Sequence, residues 1–276
     1  MPHRDTGNFR AFYAGLVTAG LDHLQGQRVR AAFAAVRRED YLGPGPWMVF
    51  TKDGYIETPD DDPAIVYQDI VIAIAPDKGL NNGQPSLHAK CLAAAAPKAG
   101  EQVLHVGAGT GYYTAILSEI VRPDGQVVAM ELDPELSRAA ATNLASYENI
   151  RVLNRSALEP PLPSSDVIYV CAGASEPPDI WLDALNPQGR LIFPLTPGVE
   201  FGGMLMLTRT SDGFAASFIC AAGFVPCVGG QREGTIGKLA EAYQRGDWSK
   251  VRWLHRDKPV DDALCWLSGD TWWLSK

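Results

Sequence analysis

The sequence lacks any pairing pattern among its cysteines. Its 276 residues include five of them, at Cys91, Cys171, Cys220, Cys227 and Cys265, and no two form a Cys-x-x-Cys pair. An odd number of scattered cysteines is typical of reduced thiols that pack as small apolar residues, not of a disulfide framework or a zinc site. We therefore expect a reducing, cytoplasmic location and no bound metal.

Long apolar runs and basic clusters are also missing. The most apolar stretches are interrupted well before the roughly 20 residues that a membrane-spanning helix needs. No basic run is longer than Arg37-Arg38, and the formal net charge is -8, whereas binding to nucleic acid requires clustered Lys and Arg. The first residues show no apolar segment followed by a small-residue cleavage site, so no signal peptide is expected. These absences predict neither nucleic acid nor membrane as a partner.

The sequence does contain a regular alternation of apolar runs with helix-length segments. Helical spacing runs from Asn8 to Arg38 and ends at Gly43–Trp47. Five short apolar runs follow, at Val103–Gly107, Val127–Glu131, Ile150–Asn154, Val167–Gly173 and Arg190–Leu195. Near-continuous hydrophobicity is typical of strands covered on both faces, and this alternation predicts a doubly wound, mostly parallel α/β sheet.

The end of the chain follows a different pattern. Ser211–Gly213 is a turn signal between two apolar runs, Met204–Thr210 and Phe214–Cys220, and predicts an antiparallel pair that completes a seven-stranded sheet. Beyond Gly230 no strong period is visible, but the segment is rich in tryptophan, which we interpret as core packing of an extension more than as a substrate cage. The predicted organisation is an N-terminal helical or cap region (1–80), a cofactor-binding core (81–230) and a C-terminal extension (231–276).

A glycine-rich turn lies between the first apolar run and the helix after it. Gly107, Gly109 and Gly111 permit backbone angles and a close approach that a Cβ would forbid. A dinucleotide-binding loop has its third glycine one position later, where this chain has Tyr112. Glu131 ends the next predicted strand, where a carboxylate can accept hydrogen bonds from both ribose hydroxyls. Such a turn alone could bind nothing, but the combination favours S-adenosylmethionine over NAD.

Several longer motifs are similar to one family. They are "VLHVGAGTGYYTAIL", "VVAMELDPEL", "NIRVLNRSALEP" and "SSDVIYVCAGASEPPDIWLDALNPQGRLIFPL", with "VRREDYL", "YQD" and "QPSLHA" upstream. Together they resemble the protein-L-isoaspartate (D-aspartate) O-methyltransferase family, which belongs to the Rossmann-like class I methyltransferases that depend on S-adenosylmethionine. The resemblance implies transfer of a methyl group to a carboxylate, with S-adenosylhomocysteine as the product.

The resemblance also implies roles for particular residues. Gly107, Ala108 and Gly109 would line the methionine part of the cofactor, and Glu131 would hold the ribose. The residues beside adenine would be Ser156 and Ala157. A wall covering the cofactor from the other side would be formed by Asn81, Asn82, Gly83 and His88.

This chain departs from the family at the acceptor side. The family carries T-I-S-x-P, with the serine at the methyl-transfer centre, whereas Gly83 stands at the position of that serine here. Two acids that are common in the family are replaced by His105 and Ser156. The candidates for a catalytic role are therefore Asn82, Gly83 and His88.

Three functions stay open at this point. A carboxylate acceptor is already ionised near neutral pH and needs only hydrogen-bond donors, which Asn82, Gln84 and the Gly83 N–H could supply. A small-molecule or peptide hydroxyl would instead need a base such as His88 or His105. A non-catalytic protein that binds the cofactor or its product is the third. The expected partner is accordingly a peptide, a protein or a small methyl acceptor.

Overall fold

The computed structural model describes residues 6–21, 23–256 and 263–276. Its α-helices are α1 (Gly7–Val17), α2 (His23–Ala35), α3 (Pro85–Ala95), α4 (Tyr112–Val121), α5 (Pro134–Asn143), α6 (Asp179–Asp183) and α7 (Glu233–Arg245). Its early strands are β1 (Met48–Thr51), β2 (Gly54–Glu57), β3 (Ala73–Ala75), β4 (Leu80–Asn81), β5 (Gln102–Val106), β6 (Gln126–Glu131) and β7 (Ile150–Asn154). The later strands are β8 (Ser165–Val170), β9 (Leu185–Leu195), β10 (Gly202–Thr210), β11 (Gly213–Ala222), β12 (Trp253–His255), β13 (Cys265–Ser268) and β14 (Trp273–Ser275).

The chain divides into two compact units whose sequences interleave. The first unit comprises residues up to Glu101 together with Ala108–Asn154, and the second comprises Gln102–Gly107 together with Arg155–Lys276. The glycine-rich turn is therefore shared, because Gly107 belongs to the second unit whereas the residues after it belong to the first.

The second unit contains a mixed sheet in the order β13-β14-β12-β11-β10-β9-β8-β5. Strands β5, β8 and β9 run parallel, with Val103 opposite Val167 and Ile168 opposite Leu191. Strands β9, β10 and β11 are antiparallel, and Thr210 pairs with Gly213 across the predicted turn. The predicted parallel core and the hairpin that follows it are both found.

The first unit places helices around a parallel strand pair. Strands β6 and β7 are parallel, with Glu131 opposite Asn154 at their carboxyl ends. Helix α2 packs against both α3 and α4. Phe33 of α2 is fully buried and contacts the rings of Tyr112 and Tyr113. The apolar spacing around Phe33 in α2 is thus explained by burial against α4, whereas Phe12 and Leu16 of α1 are exposed.

The α/β class is confirmed, but the predicted count of seven strands is not, since the sheet of the second unit alone orders eight. Helix α2 ends at Ala35, and a short 3-10 turn, Arg38–Tyr41, follows it, so the helical region is shorter than its spacing predicts. Where the structure describes the segment beyond Gly230, it contains the helix α7 and the strands β12, β13 and β14. Strands of three or four residues are too short to show a period in the sequence. Across the described ranges, every helix is too short or too polar to cross a membrane.

Candidate cofactor and acceptor site

Glu131 is held at the carboxyl end of β6 by two backbone N–H groups. Its Oε2 accepts a hydrogen bond from the Gly109 N–H at 2.7 Å, and its Oε1 accepts one from the Asp133 N–H at 2.9 Å. The side chain is 8% exposed. Because an ionised carboxylate has about four lone-pair sites, two such bonds leave acceptor capacity for a pair of hydroxyl groups. The geometry thus suits a group that binds a ribose diol.

The ionisation of Glu131 reflects two opposing effects. Burial raises the pKa of its carboxyl, and the N–H groups of Asp133 and Gly109 act against that rise by stabilising the charged form. The glycine-rich turn therefore helps to keep a buried carboxylate charged.

Glycine is required where the turn meets the rest of the first unit. Gly109 has a φ of +56°, and a Cβ on it would lie 2.9 Å from Cδ1 of Ile74 in β3. Gly111 has a φ of +99°, and a Cβ there would lie 2.7 Å from Cδ1 of Leu144. Left-handed backbone and close packing both exclude a larger residue at these positions. The turn is consequently a tight surface against which β3 packs.

Thr110, which lies between these glycines, is hydrogen-bonded through both its side-chain hydroxyl and its backbone carbonyl. The Thr110 hydroxyl donates to the carbonyl of Tyr41 at 2.6 Å, and Nδ2 of Asn143 donates to the Thr110 carbonyl at 3.0 Å. The turn is therefore held in place before any ligand binds.

The wall segment, residues 81–84, begins at the end of β4. Strand β4 pairs with β3, and Ala73 lies opposite Asn81. The Gly83 N–H donates to Oδ1 of Asn81 at 2.9 Å, and Gly83 has a φ of +69°. This side-chain-stabilised turn places the wall segment next to the strand that contacts Gly109.

His88 occupies the space beside Gly83. A Cβ on Gly83 would lie 2.3 Å from Nε2 of His88. The imidazole is 1% exposed and stacks on the ring of Tyr113, with centroids 3.6 Å apart and an interplanar angle of 14°. Since Tyr113 is in the first turn of α4, His88 connects the wall segment to the helix that follows the glycine-rich turn.

Asn82 is buried, and only one end of its amide is bonded. Its Oδ1 accepts from the Ile72 N–H at 3.0 Å and from Nη2 of Arg38 at 3.4 Å. Its Nδ2 has no hydrogen-bond partner among the described residues. A buried donor without a partner costs free energy, so this atom suggests a ligand contact.

Two residues that the sequence analysis left without a role organise this wall. Arg38 is fully buried and donates to the carbonyls of Val66, Gln68 and Ile70. Asp69 accepts from the Ser86 N–H at 2.8 Å and from the Ser86 hydroxyl at 2.6 Å. Both lie in the upstream motifs "VRREDYL" and "YQD", which were the available signal for them.

Asp69 also fixes the orientation of Gln84. Its Oδ2 accepts a hydrogen bond from Nε2 of Gln84 at 3.0 Å, so one of the two N–H donors of that amide is already engaged. Asp69 thereby caps the start of α3 from outside the helix, because it binds an N–H of the first turn that has no partner within the helix.

In the second unit, Gly107 lies against Cys171. Gly107 has a φ of +73°, and a Cβ on it would lie 3.4 Å from the carbonyl carbon of Cys171. Nε2 of His105, in β5, lies 3.3 Å from the Cys171 sulfur. Burial lowers the pKa of His105 to about 3, so its imidazole is neutral at physiological pH. A base this weak is poorly suited to activate a hydroxyl.

Ser156 and Ala157 lie in the turn after β7. The Ser156 hydroxyl accepts from the Leu158 N–H at 3.1 Å, and the Ala157 carbonyl accepts from the buried Trp181 indole N–H at 2.9 Å. Within the second unit, the Ala157 carbonyl thereby connects this turn to α6, and Ser156 bonds within the turn itself. In the first unit, by contrast, Glu131 is bonded directly to the glycine-rich turn.

Known proteins resemble this chain over most of its length. A model of the family "Protein-L-isoaspartate(D-aspartate) O-methyltransferase (PCMT)" matches residues 21–232. A protein-L-isoaspartate O-methyltransferase of Aeropyrum pernix is 30% identical over 206 residues, which are 72% of this chain and 74% of that protein. Another, from Methanopyrus kandleri, is 36% identical over 122 residues, or 42% of this chain and 54% of that protein.

A solved structure shows the same fold. The crystal structure of a beta-aspartate methyltransferase (PCMT) from Plasmodium falciparum, in complex with S-adenosyl-L-homocysteine, superposes with a TM-score of 0.61 at 19% identity. The match covers 81% of this chain and 98% of that one. The family match extends over the glycine-rich turn, Glu131 and the wall segment. On these grounds the chain belongs to the protein-L-isoaspartate(D-aspartate) O-methyltransferase family.

Proposed function

We propose that this chain is an S-adenosylmethionine-dependent O-methyltransferase that methylates the free carboxylate of an isoaspartyl residue in a peptide or protein. Membership of the family supports both the cofactor and the class of acceptor. The observation that carries the proposal is the carboxylate of Glu131, which the Gly109 and Asp133 N–H groups hold at the end of β6.

The first unit fits the proposed cofactor in two respects. Glu131 offers two oriented oxygens to a ribose diol, and Gly109 leaves the surface of the turn without a side chain. Further contacts with the cofactor are proposed in this unit for Asn81, Ala108 and His88. When bound, the cofactor supplies an electrophilic methyl group on a positively charged sulfur.

The task of the protein is then mainly alignment. An in-line displacement requires the acceptor oxygen, the methyl carbon and the sulfur to lie nearly on one line. An isoaspartyl carboxylate is ionised at neutral pH because free carboxyl groups titrate near 4, so no general base is needed. The chain must therefore provide donors that orient the carboxylate.

The hydroxyl-acceptor alternative is weaker because one of its two candidate bases is unsuitable. His105 is neutral but has a pKa of about 3, and it lies against Cys171. His88 would remain as the only base of the two.

We also propose that residues 81–230 carry the cofactor chemistry, that residues 1–80 form a cap region, and that residues 231–276 are an extension.

The test is a turnover assay that measures S-adenosylhomocysteine formation with an isoaspartyl peptide and with its normal aspartyl counterpart. The proposal predicts product with the isoaspartyl peptide only, and none without an acceptor. Binding of S-adenosylhomocysteine without any turnover would overturn it in favour of a non-catalytic binder. Turnover that occurs only with hydroxyl compounds would support the histidine-dependent alternative instead.

A further inference from the structure

Asn82, Gly83 and Gln84 of the wall segment each carry a candidate hydrogen-bond donor for an acceptor carboxylate, and the structure distinguishes among them. The Gly83 N–H is already bonded to Oδ1 of Asn81 at 2.9 Å, and Nε2 of Gln84 is bonded to Asp69 at 3.0 Å. Nδ2 of Asn82 is buried and has no partner among the described residues. Leaving a donor in that state costs free energy, which a bound acceptor would offset.

The orientation of the Asn82 amide is fixed by its other end. Oδ1 accepts from the Ile72 N–H and from Arg38, both of which can only donate. Arg38 is itself held by the carbonyls of Val66 and Ile70 at 2.7 Å and 2.6 Å. A flip of the amide would place a donor against two donors. Nδ2 is therefore held in a single orientation, and the nearby guanidinium favours an anionic partner.

Asn82 directly follows a pair of strands, β3 and β4, that contacts the glycine-rich turn. It directly follows β4, which pairs with β3, and Ile74 of β3 lies 2.9 Å from the position that a Cβ on Gly109 would take. Its own backbone N–H donates to the Ile72 carbonyl at 2.9 Å. The orphaned donor is thus on the hairpin that packs against the turn.

Position 83 cannot supply a side-chain donor in this arrangement. Its φ of +69° is left-handed, and a Cβ there would lie 2.3 Å from Nε2 of His88. Any side chain at this position would have to displace a buried, stacked imidazole. The glycine is consequently part of the architecture of the wall segment.

We propose that Nδ2 of Asn82 binds the acceptor carboxylate, taking over the task that a side chain at position 83 cannot perform. This proposal rests on the proposed function. The N–H bond goes to one carboxylate oxygen. A lone pair on the other oxygen forms the new O–CH₃ bond while the methyl–sulfur bond breaks, and the sulfur keeps that electron pair. No proton is transferred, because the carboxylate enters as an anion and leaves as a neutral ester.

The most direct test is the isosteric variant Asn82→Asp. It keeps an oxygen for the Ile72 N–H and for Arg38, but it replaces the donor with an oxygen that repels a carboxylate. We expect kcat/KM for an isoaspartyl peptide to fall about 100-fold or more. The Kd for S-adenosylhomocysteine should stay within about threefold of that of the unsubstituted chain. Asn82→Ala removes the donor without adding charge, and its kcat/KM should fall about tenfold.

The matched control is Asn149→Asp, at the amino-terminal end of β7. Asn149 is also buried, but both ends of its amide are bonded, to the Ser118 hydroxyl and to the Gly125 carbonyl. This variant should lose stability and keep its kcat/KM per folded molecule. It therefore separates the cost of a buried Asn-to-Asp change from the loss of the proposed donor.

Each outcome decides between the proposals. If the unsubstituted chain has no activity on the isoaspartyl peptide, the proposed function fails, and the role of Asn82 fails with it. Suppose instead that the unsubstituted chain is active, and that either Asn82 variant binds S-adenosylhomocysteine normally and has a kcat/KM within threefold of the unsubstituted value. Only the role of Asn82 is then overturned. Loss of S-adenosylhomocysteine binding in both variants would assign Asn82 to the fold or the cofactor, and would also overturn it.

Discussion

At the scale of single residues, Glu131 combines burial with a charge that the backbone stabilises. Both of its oxygens accept N–H bonds, so neither can be replaced by an amide nitrogen without placing donor against donor. We predict that Glu131→Gln weakens S-adenosylhomocysteine binding about 10- to 100-fold, as expected for losing hydrogen bonds to a charged group. Titration calorimetry would measure this change.

Glu135→Gln is the control for that prediction. Glu135 lies near Glu131 in sequence, but its side chain is 70% exposed and pairs with Lys78 at 2.7 Å. Exposed ion pairs contribute little, so its affinity should stay within about twofold of the unsubstituted chain. Equal losses in the two variants would mean that general charge, and not the Glu131 contact, controls binding.

The pH dependence of cofactor binding also follows from Glu131. Because burial raises the pKa of this carboxyl above its ordinary value of 4.5, it takes up a proton at a higher pH than an exposed glutamate does. A protonated carboxyl is a poorer acceptor for the ribose hydroxyls, so the Kd should rise as pH falls through that raised pKa. Titrations at several acidic pH values would show this rise, and Glu131→Gln should flatten it.

His105 gives a prediction about stability. Its pKa falls from 6.5 to about 3 on folding. Between pH 6.5 and pH 3, His105 is therefore protonated in the unfolded chain but neutral in the folded chain. The contribution of the neutral His105 to the free energy of unfolding is fully present above pH 6.5 and decreases as the pH falls toward 3. At pH 5 the loss should be about 2 kcal/mol relative to pH 7.5.

Urea unfolding of the unsubstituted chain and of His105→Gln at both pH values tests this contribution. The variant should lack that part of the acid destabilisation, whatever its stability at pH 7.5. An identical pH-dependent loss in the two proteins would show that His105 is not the group responsible.

At the scale of elements, the wall segment and α3 depend on each other through Gly83 and His88. A serine at position 83 would combine a left-handed φ of +69° with a clash against Nε2 of His88. We predict that Gly83→Ser destabilises the fold by about 1–3 kcal/mol and does not raise activity, even though it restores the residue typical of the family.

A double-mutant cycle with His88→Ala separates the two causes. Removing the imidazole relieves the clash but not the backbone strain, so the double variant should be less destabilised than the sum of the single variants. Strict additivity in urea unfolding would contradict a steric coupling between these positions.

At the scale of the second unit, the C-terminal extension completes the sheet beyond the part that the family model matches. Strand β12 pairs with β11, with Ala215 opposite Trp253. Trp266 is 2% exposed, contacts the rings of Phe218 and Tyr243, and donates its indole N–H to the Gly246 carbonyl at 2.9 Å. The interpretation of the tryptophan-rich segment as core packing therefore fits this residue.

Two tryptophans of the extension give a matched comparison. Trp266→Ala should destabilise the protein by about 3–5 kcal/mol, because it removes a large buried ring and its hydrogen bond. Trp253 is 41% exposed, so Trp253→Ala should cost clearly less. Chemical denaturation of both variants is the measurement, and equal losses would contradict the packing argument.

Some features could be predicted from the sequence because they depend on neighbouring residues. Helix α4 (Tyr112–Val121) begins directly after the glycine-rich turn, where the sequence predicts a helix, because the glycine before it marks its start. Strand β7 likewise matches its apolar run, Ile150–Asn154. Short strands such as β12 could not be found in this way, because pairing with β11 is what makes them strands.

Local sequence patterns were enough to predict the alternation of strands and helices, the glycine-rich turn, the acid at the end of β6 and the family. These depend on periodicity and backbone freedom, which are local properties of the chain. The folded structure was needed to show that Asn82 bonds to Arg38, 44 residues away, and that His88 excludes a side chain at Gly83. Packing brings together residues that no local pattern connects, so the identity of the free donor could be read only from the folded chain.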